Sequence, residues 1–277
     1  MCRERGNKEC NTAPRVSVVM GVYNCEMTLK RAIESVISQT YENWELIMCD
    51  DASTDHSYSI ACEYAERDKR IRVLHNDKNV GCNVVLNRCI EEAQGEYIAV
   101  MDSDDISLPL RLEKEVAILD KNPQYTMVGA ATIHFDEKGD FLNLPRTERP
   151  QPSDFMHGIP HAHPSCMVRR SAIMEIGCYH TEKGMHRVED YYMMACLYAR
   201  GYRGYNLQEA LLRYCDDSNA CMRRTWQIRL NEVCTYAKAF KMLKLPFYSY
   251  FMLLRPIIVG LLPRPIYNYL HRRPWMR

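Results

Sequence analysis

Apolar residues arrive along the first part of the chain in two alternating rhythms. Val16-Ser17-Val18-Val19-Met20 is a β-rich run, and Leu29, Ala32, Ile33, Val36 and Ile37 then return at the spacing of one packed helix face. Trp44 to Cys49 predicts a second strand ending at Asp50-Asp51, and Ser53-Thr54-Asp55 predicts a helix start. Ile71 to Leu74 predicts a third strand, followed by a loop from Asn76 to Gly81 and a helix through about Ala93. Tyr97 to Met101 is a fourth apolar run, with Asp102, Asp104 and Asp105 directly after it. Four strand-then-helix alternations in about 100 residues argue for βαβ units and a mostly parallel sheet. Such crossovers are right-handed, and the loops at the strand carboxyl ends form the site.

The rhythm changes after Pro109. A helix from Leu110 to Leu119 breaks at Asn122-Pro123. Met127 to Phe135 predicts a strand, and Asp136 to Asp140 a turn. Residues 145–164 hold five prolines and predict a long loop carrying His161 and His163. A strand from Ser165 to Val168, a helix from Ser171 and a helix from Glu189 to Arg200 follow. The last of these sets Tyr192, Cys196 and Ala199 on one face. The second half thus predicts a mixed sheet grafted onto the first, with further helical stretches from Thr225 onward.

Composition narrows the class. The chain has 277 residues, 47% of them hydrophobic, enough for one large domain or a domain with an appendage. The net charge of +1 offers no global attraction to nucleic acid. Its distribution is uneven: from Val233 onward there are eight Lys and Arg and no Asp or Glu, so the body before it carries −7. The 13 cysteines are odd in number and scattered, without a C-x-x-C pair, and read as free thiols of a reducing cytosol. Residues 1–13 lack the apolar segment of a signal peptide. The apolar stretch from Phe247 to Leu262 is interrupted by Arg255-Pro256 and is too short for a simple transmembrane helix.

The acidic strand end carries the chemistry. Three carboxylates brought to one point repel one another unless a cation neutralises them. The fitting ion is hard and divalent, Mg²⁺ or Mn²⁺, with oxygen ligands. At a strand carboxyl end in an α/β sheet such an ion is placed to grip a diphosphate. The other strand ends carry Tyr23, Asp50, Asp51 and Asn79.

These pieces together resemble a family 2 glycosyltransferase with the GT-A fold. The resemblance rests on Val16 to Asn24, Ser38-Gln39-Thr40-Tyr41 through Leu46, Cys49-Asp50-Asp51-Ala52-Ser53-Thr54-Asp55, Asn79-Val80-Gly81, Gly95-Glu96-Tyr97, Asp102-Ser103-Asp104-Asp105, His163-Pro164-Ser165 through Arg170, and Glu189-Asp190. They stand in the family's order across roughly residues 14–215. A lone D-x-D would be weak evidence; the ordered set is specific.

The resemblance implies a Rossmann-like, mostly parallel central sheet with helices on both faces and a helical C-terminal extension. It divides the chain into a flexible lead-in 1–14, a nucleotide-sugar-binding half 15–110, an acceptor-binding half 111–222 and a basic, aromatic extension 223–277. Asp104 would ligate the metal, with Asp102 facing the metal shell or the ribose, and Ser103 between them at the donor. Asp51, or Asp50 if the loop is shifted by one, would accept from the nucleobase, and Tyr23 would stack on it. Some relatives carry a hydroxyl residue where Gly21 stands, a base contact this chain lacks. Asn79 would line the donor site. Asp190 would be the general base of an inverting transfer, with Glu189 pointing elsewhere on the helix to cap or position it; the alternative is that the two acids only form an acidic first turn stabilised by the helix dipole. His163 would lie near the sugars or serve as a structural histidine; Arg169 and Arg170 are candidate phosphate contacts, though strand alternation turns one of them away.

The implied partners are a nucleotide-sugar donor, UDP-linked, and a glycan or lipid-linked acceptor of a bacterial surface polysaccharide. The tail, with Phe247-Tyr248-Ser249-Tyr250-Phe251 and its cations, suits the cytosolic membrane surface, making the protein cytoplasmic and peripheral. The alternative is that the tail packs on the catalytic domain or on a sister subunit of a homo-oligomer. Two other readings stand beside it: a nucleotidyltransferase, which also uses an α/β sheet and acidic metal ligands but whose basic glycine-rich loop is missing at Gly21 to Cys25, and a catalytically silent binding protein of the same fold.

Overall fold

Each predicted βα unit becomes a layer of one nine-stranded sheet. The computed structural model describes residues 13–182, 184–185, 187–216 and 225–262. Most of the lead-in and the tail cations Arg264, Arg272, Arg273 and Arg277 lie outside them. In chain order the first half is β1 (Val16–Val22), α1 (Glu26–Ile37), β2 (Trp44–Asp50), α2 (Ser57–Arg67), β3 (Ile71–His75), α3 (Cys82–Glu92) and β4 (Tyr97–Val100). Then follow β5 (Ile106–Ser107), α4 (Arg111–Lys121), β6 (Met127–Asp136), β7 (Gly139–Leu144), β8 (Met167–Arg169), α5 (Arg170–Glu175), α6 (Glu189–Ala199) and β9 (Gly204–Cys215). Helices α7 (Trp226–Met242) and α8 (Leu254–Leu261) close the described chain.

The strand order is β3-β2-β1-β4-β8-β6-β9-β5, with β7 on β6. Strands β3, β2, β1 and β4 run parallel. β8 enters antiparallel to β4 and β6, and β6 pairs β9 in parallel. The order reverses between β1 and β4, so the loops after those two strands flank a crevice, the usual ligand position in an open α/β sheet.

Alternation along the strands feeds two cores. Val18, Met20, Leu46, Met48 and Ala99 meet α1 and α4 on one face through Leu29, Ile33, Leu112 and Val116. Val19, Ile47, Ile98 and Val100 meet α3, α5 and α6 on the other through Val85, Ile90, Ile173 and Met194. Fully burying one such side chain stabilises by about 1.5–3 kcal/mol. In α6 the residues Tyr192, Cys196 and Ala199 do share a face, but it is the less buried one; Tyr191, Met194, Ala195 and Tyr198 are the ones driven inward.

Three strands escape the sequence pattern, the first being the two-residue β5. β7 is short and half-exposed at a sheet edge. β9, the longest strand, pairs β6 through register shifts on either side of Ala131, so its buried positions do not alternate regularly. Every cysteine among the described residues is a free thiol.

Candidate active site

Tight loops at the ends of β1, β2 and β4 are stitched together before any ligand is considered. Asn24 N donates to Ser53 Oγ (3.0 Å), Cys25 N to Ser57 Oγ (2.8 Å) and Glu26 N to Asp55 Oδ2 (3.1 Å). In return, His56 N donates to Glu26 Oε2 at 3.0 Å. The donors that a helix start leaves without partners are thus satisfied across two loops.

The acidic loop after β4 is held from three sides. Thr28 Oγ1 donates to Ser103 O (3.0 Å), and Arg31 donates to Asp104 O (2.8 Å). Gln39, buried, reaches Ser107 Oγ (3.1 Å) and Leu108 O (2.9 Å), and its Oε1 accepts from Leu112 N (3.0 Å). The Ser38-Gln39-Thr40 motif therefore fastens the loop that presents the carboxylates. Arg111, also buried, donates to Val100 O at 2.8 Å and pairs with Glu115 at 3.1 Å. Its charge acts on both Asp102 and Asp105, favouring their ionised forms.

Asp102, Asp104 and Asp105 each bring one oxygen to within 4.8 Å of the others. Burial, and then the charge of Asp104, push Asp102 up to about 7, with Asp190 and Glu189 adding to the effect. One oxygen of Asp105 accepts from Cys215 N at 2.7 Å, while the other is buried with no hydrogen-bond partner. An all-oxygen set with an orphaned carboxylate oxygen and mutual repulsion fits a hard divalent cation. Asp102, Asp104 and Asp105 together could hold such an ion.

The two acids ending β2 and its loop do different work. Asp50 is buried; one oxygen accepts from Ser53 N and lies 3.1 Å from His75 Nδ1. Asp51 Oδ1 accepts from Asn76 Nδ2 (2.8 Å) and Val80 N (2.9 Å), and Oδ2 from Gly81 N (2.9 Å). Gly81 has φ +92°, a backbone that L side chains rarely adopt. Asp51 thus shapes the 76–81 loop, in which Asn79 is exposed, and of the roughly four acceptor positions of a carboxylate one stays open. Tyr23 stands half-exposed on the rim after β1.

Asp190 and Glu189 open α6. Burial, and then the Asp190 charge, raise Glu189 to about 7. The thiol of Cys82, exposed at the start of α3, is raised by the crowding of the protein around it and by the charges of Glu189, Asp102, Asp190 and Asp51, so four expected site acids act on one point. His163 Nε2 lies 2.7 Å from the Tyr179 hydroxyl, and burial keeps its imidazole below the usual range. His163 and Asp190 line a cavity of about 520 Å³, together with Arg146 from the β7–β8 connection and Tyr236 and Arg255 from α7 and α8.

Other expected contacts fall elsewhere. His161 is buried between Asn206 Oδ1 (2.6 Å) and Tyr198 Oη (2.8 Å), a structural histidine. Arg169 spends its guanidinium on Tyr125 O and Leu119 O. Sequence reasoning places Gln39 and Asp105 within motifs without giving either a role of its own, and it does not single out Arg111 or Tyr179, whose partners Val100 O and His163 Nε2 are not marked by any motif.

Comparison with known proteins agrees with this geometry. Residues 17–177 match the description Glycosyl transferase family 2. EpsE of Bacillus subtilis (strain 168), named as a glycosyltransferase, is 40% identical over 264 residues, 95% of each chain. WfgD of Escherichia coli, named as a UDP-Glc:alpha-D-GlcNAc-diphosphoundecaprenol beta-1,3-glucosyltransferase, is 40% identical over 114 residues, 41% of this chain and 44% of its own. Among solved structures, S. aureus TarS 1-349 in complex with UDP-GlcNAc superposes with a TM-score of 0.67 at 15% identity, covering 94% of this chain and 88% of that one. The mannosyltransferase PcManGT of Pyrobaculum calidifontis, in complex with GDP-Man and Mn2+, has a TM-score of 0.62 at 17% identity, covering 96% and 84%. With the GT-A-like fold, the ordered motifs and the family match in agreement, this chain belongs to glycosyltransferase family 2.

Proposed function

We propose that the protein is an inverting, metal-dependent glycosyltransferase that moves a sugar from a UDP-sugar to a glycan or lipid-linked acceptor in bacterial polysaccharide synthesis. The carrying observation is that Asp102, Asp104 and Asp105 cluster at the end of β4 and the charges of Asp190 and Glu189 in the first turn of α6 act on Asp102, with Asp190 also lining the 520 Å³ cavity. Donor and acceptor then approach from opposite sides of one centre. Asp51 and Tyr23 receive the base, and Asn79 and Ser103 border the donor; Asp102 and Asp104 would hold Mn²⁺ or Mg²⁺, which would supply charge neutralisation for the diphosphate. The acceptor hydroxyl oxygen bonds to the anomeric carbon as the bond from that carbon to the diphosphate oxygen breaks. The electron pair leaves with the nucleotide, and the hydroxyl proton passes to Asp190. His163 borders the sugars. TarS with UDP-GlcNAc and PcManGT with GDP-Man and Mn2+ support a nucleotide-sugar donor.

Calorimetric titration with UDP, GDP, CDP and dTDP, with and without Mn²⁺, tests the reading. UDP binding that requires Mn²⁺ is expected. Absence of metal-dependent nucleotide binding overturns it, and preference for another base corrects the donor.

A further inference from the structure

Helix α8 has two different faces. Arg255, Pro256 and Val259 line the 520 Å³ cavity, and Arg255 donates to His157 O on the opposing turn. Leu254, Ile258 and Leu261, spaced four and three apart, are exposed on the other side. The preceding 3-10 turn Phe247–Leu253 continues that surface with Phe247, 82% exposed, Tyr248, and Phe251, 67% exposed. Trp226 and Leu230 of α7 are half-exposed, and Trp226 lies against Gly260 of α8. Eight large apolar side chains thus stand in water on one neighbouring set of elements, more than a solvated surface needs.

The charge of this region selects the occupant. Lys238, Lys241 and Lys244 are exposed just before the aromatic turn. The sequence from Val233 to the end adds five arginines and no acid. A second copy presenting the same face would bring cations against cations. An anionic bilayer surface accepts both features: aromatic and aliphatic groups at the headgroup boundary, and cations at anionic lipid. No helix among the described residues is long and apolar enough to cross a membrane, so the contact is one of lying on it.

We infer that the surface formed by Phe247, Phe251, Leu254, Ile258 and Leu261 docks on an anionic lipid bilayer, and that α8, whose other face walls the acceptor cavity, sets the cavity mouth at the membrane. The inference rests on the transfer reading for its purpose: a sugar acceptor anchored by a lipid chain reaches Asp190 without leaving the bilayer. The docking itself is independent of that reading.

Flotation of the full chain with vesicles of phosphatidylglycerol and phosphatidylcholine, against phosphatidylcholine alone, is the test. The protein floats with the anionic vesicles and is released in part by 0.5 M salt, a condition set by roughly a threefold shorter screening length than at low salt. The variant Phe247→Ser/Phe251→Ser/Ile258→Ser binds at least about tenfold less. It retains wild-type Mn²⁺-dependent UDP binding. It also transfers normally to a soluble sugar acceptor, but poorly to the same sugar carrying a long alkyl chain in vesicles. Equal flotation of variant and wild type overturns the inference, as does a wild type that ignores anionic vesicles. Light scattering that finds a dimer abolished by the triple substitution, without flotation, assigns the face to a second copy instead. Flotation without any nucleotide binding would remove the transfer reading and leave the docking face standing.

Discussion

The Tyr179 hydroxyl lies 2.7 Å from Nε2 of His163, and Asn87 holds the Tyr179 backbone at both its N–H (2.9 Å) and its carbonyl (2.8 Å). Helix α3 therefore fixes the orientation of a cavity-lining imidazole beside Asp190. Tyr179→Phe leaves His163 without this partner and lowers kcat/KM for the acceptor by about tenfold, consistent with 1–3 kcal/mol for an orphaned buried group. UDP binding is unchanged. Steady-state kinetics with calorimetry checks both halves.

Asp104→Ala is expected to abolish Mn²⁺-dependent nucleotide binding. Asp190→Asn keeps that binding and loses about 10²–10⁴ of the transfer rate, the range for a general base. If Asp190→Asn transfers at the wild-type rate and Glu189→Gln does not, the base is Glu189.

Metal affinity should follow the acidic loop's own titration. Without a cation Asp102 is held up to about 7 by burial and by Asp104. A metal must displace that proton, so Mn²⁺ affinity rises about tenfold per pH unit below 7 and levels above it. A flat affinity between pH 5.5 and 8, measured by titration without nucleotide, contradicts this electrostatic account.

His161 makes stability depend on acid. Burial lowers its pKa from 6.5 to about 4 in the fold. Below pH 6.5 the unfolded chain therefore binds a proton that the folded chain refuses. Stability is fully present above pH 6.5, falls as pH drops toward 4, and the total loss is about 3 kcal/mol. Asp102, Glu115 and Glu189, raised by burial, titrate over the same range with the opposite sign, so the check is the pH dependence of the difference in urea stability between the wild type and His161→Leu from pH 7 to 4.

Arg111 should matter more than its partner. Burial raises Glu115 to about 7 against the opposing effect of Arg111, so Glu115→Gln costs little. Arg111→Met removes the bond to Val100 O and the positive charge behind Asp102 and Asp105; a loss of about 3–5 kcal/mol is expected. Denaturant midpoints of the two variants decide it.

What the chain's sequence determined by itself is what local pattern encodes. Buried strands β1, β2 and β4 are continuous apolar runs, α1 repeats every three or four residues, and a carboxylate cluster after an apolar strand is costly without a cation. The clustering of Asp102, Asp104 and Asp105 was legible because the three stand within four positions of one another. Tertiary structure decided the rest, since its energetics depend on partners far along the chain. Strand β9 is shaped by β6 and its bulges, which erase the period of two. His161 became structural and His163 a cavity residue through Asn206, Tyr198 and Tyr179, although the two histidines stand two positions apart. Helices α7 and α8 supply part of the cavity wall beside the Pro152–His157 turn, and no spacing in the sequence states that contact.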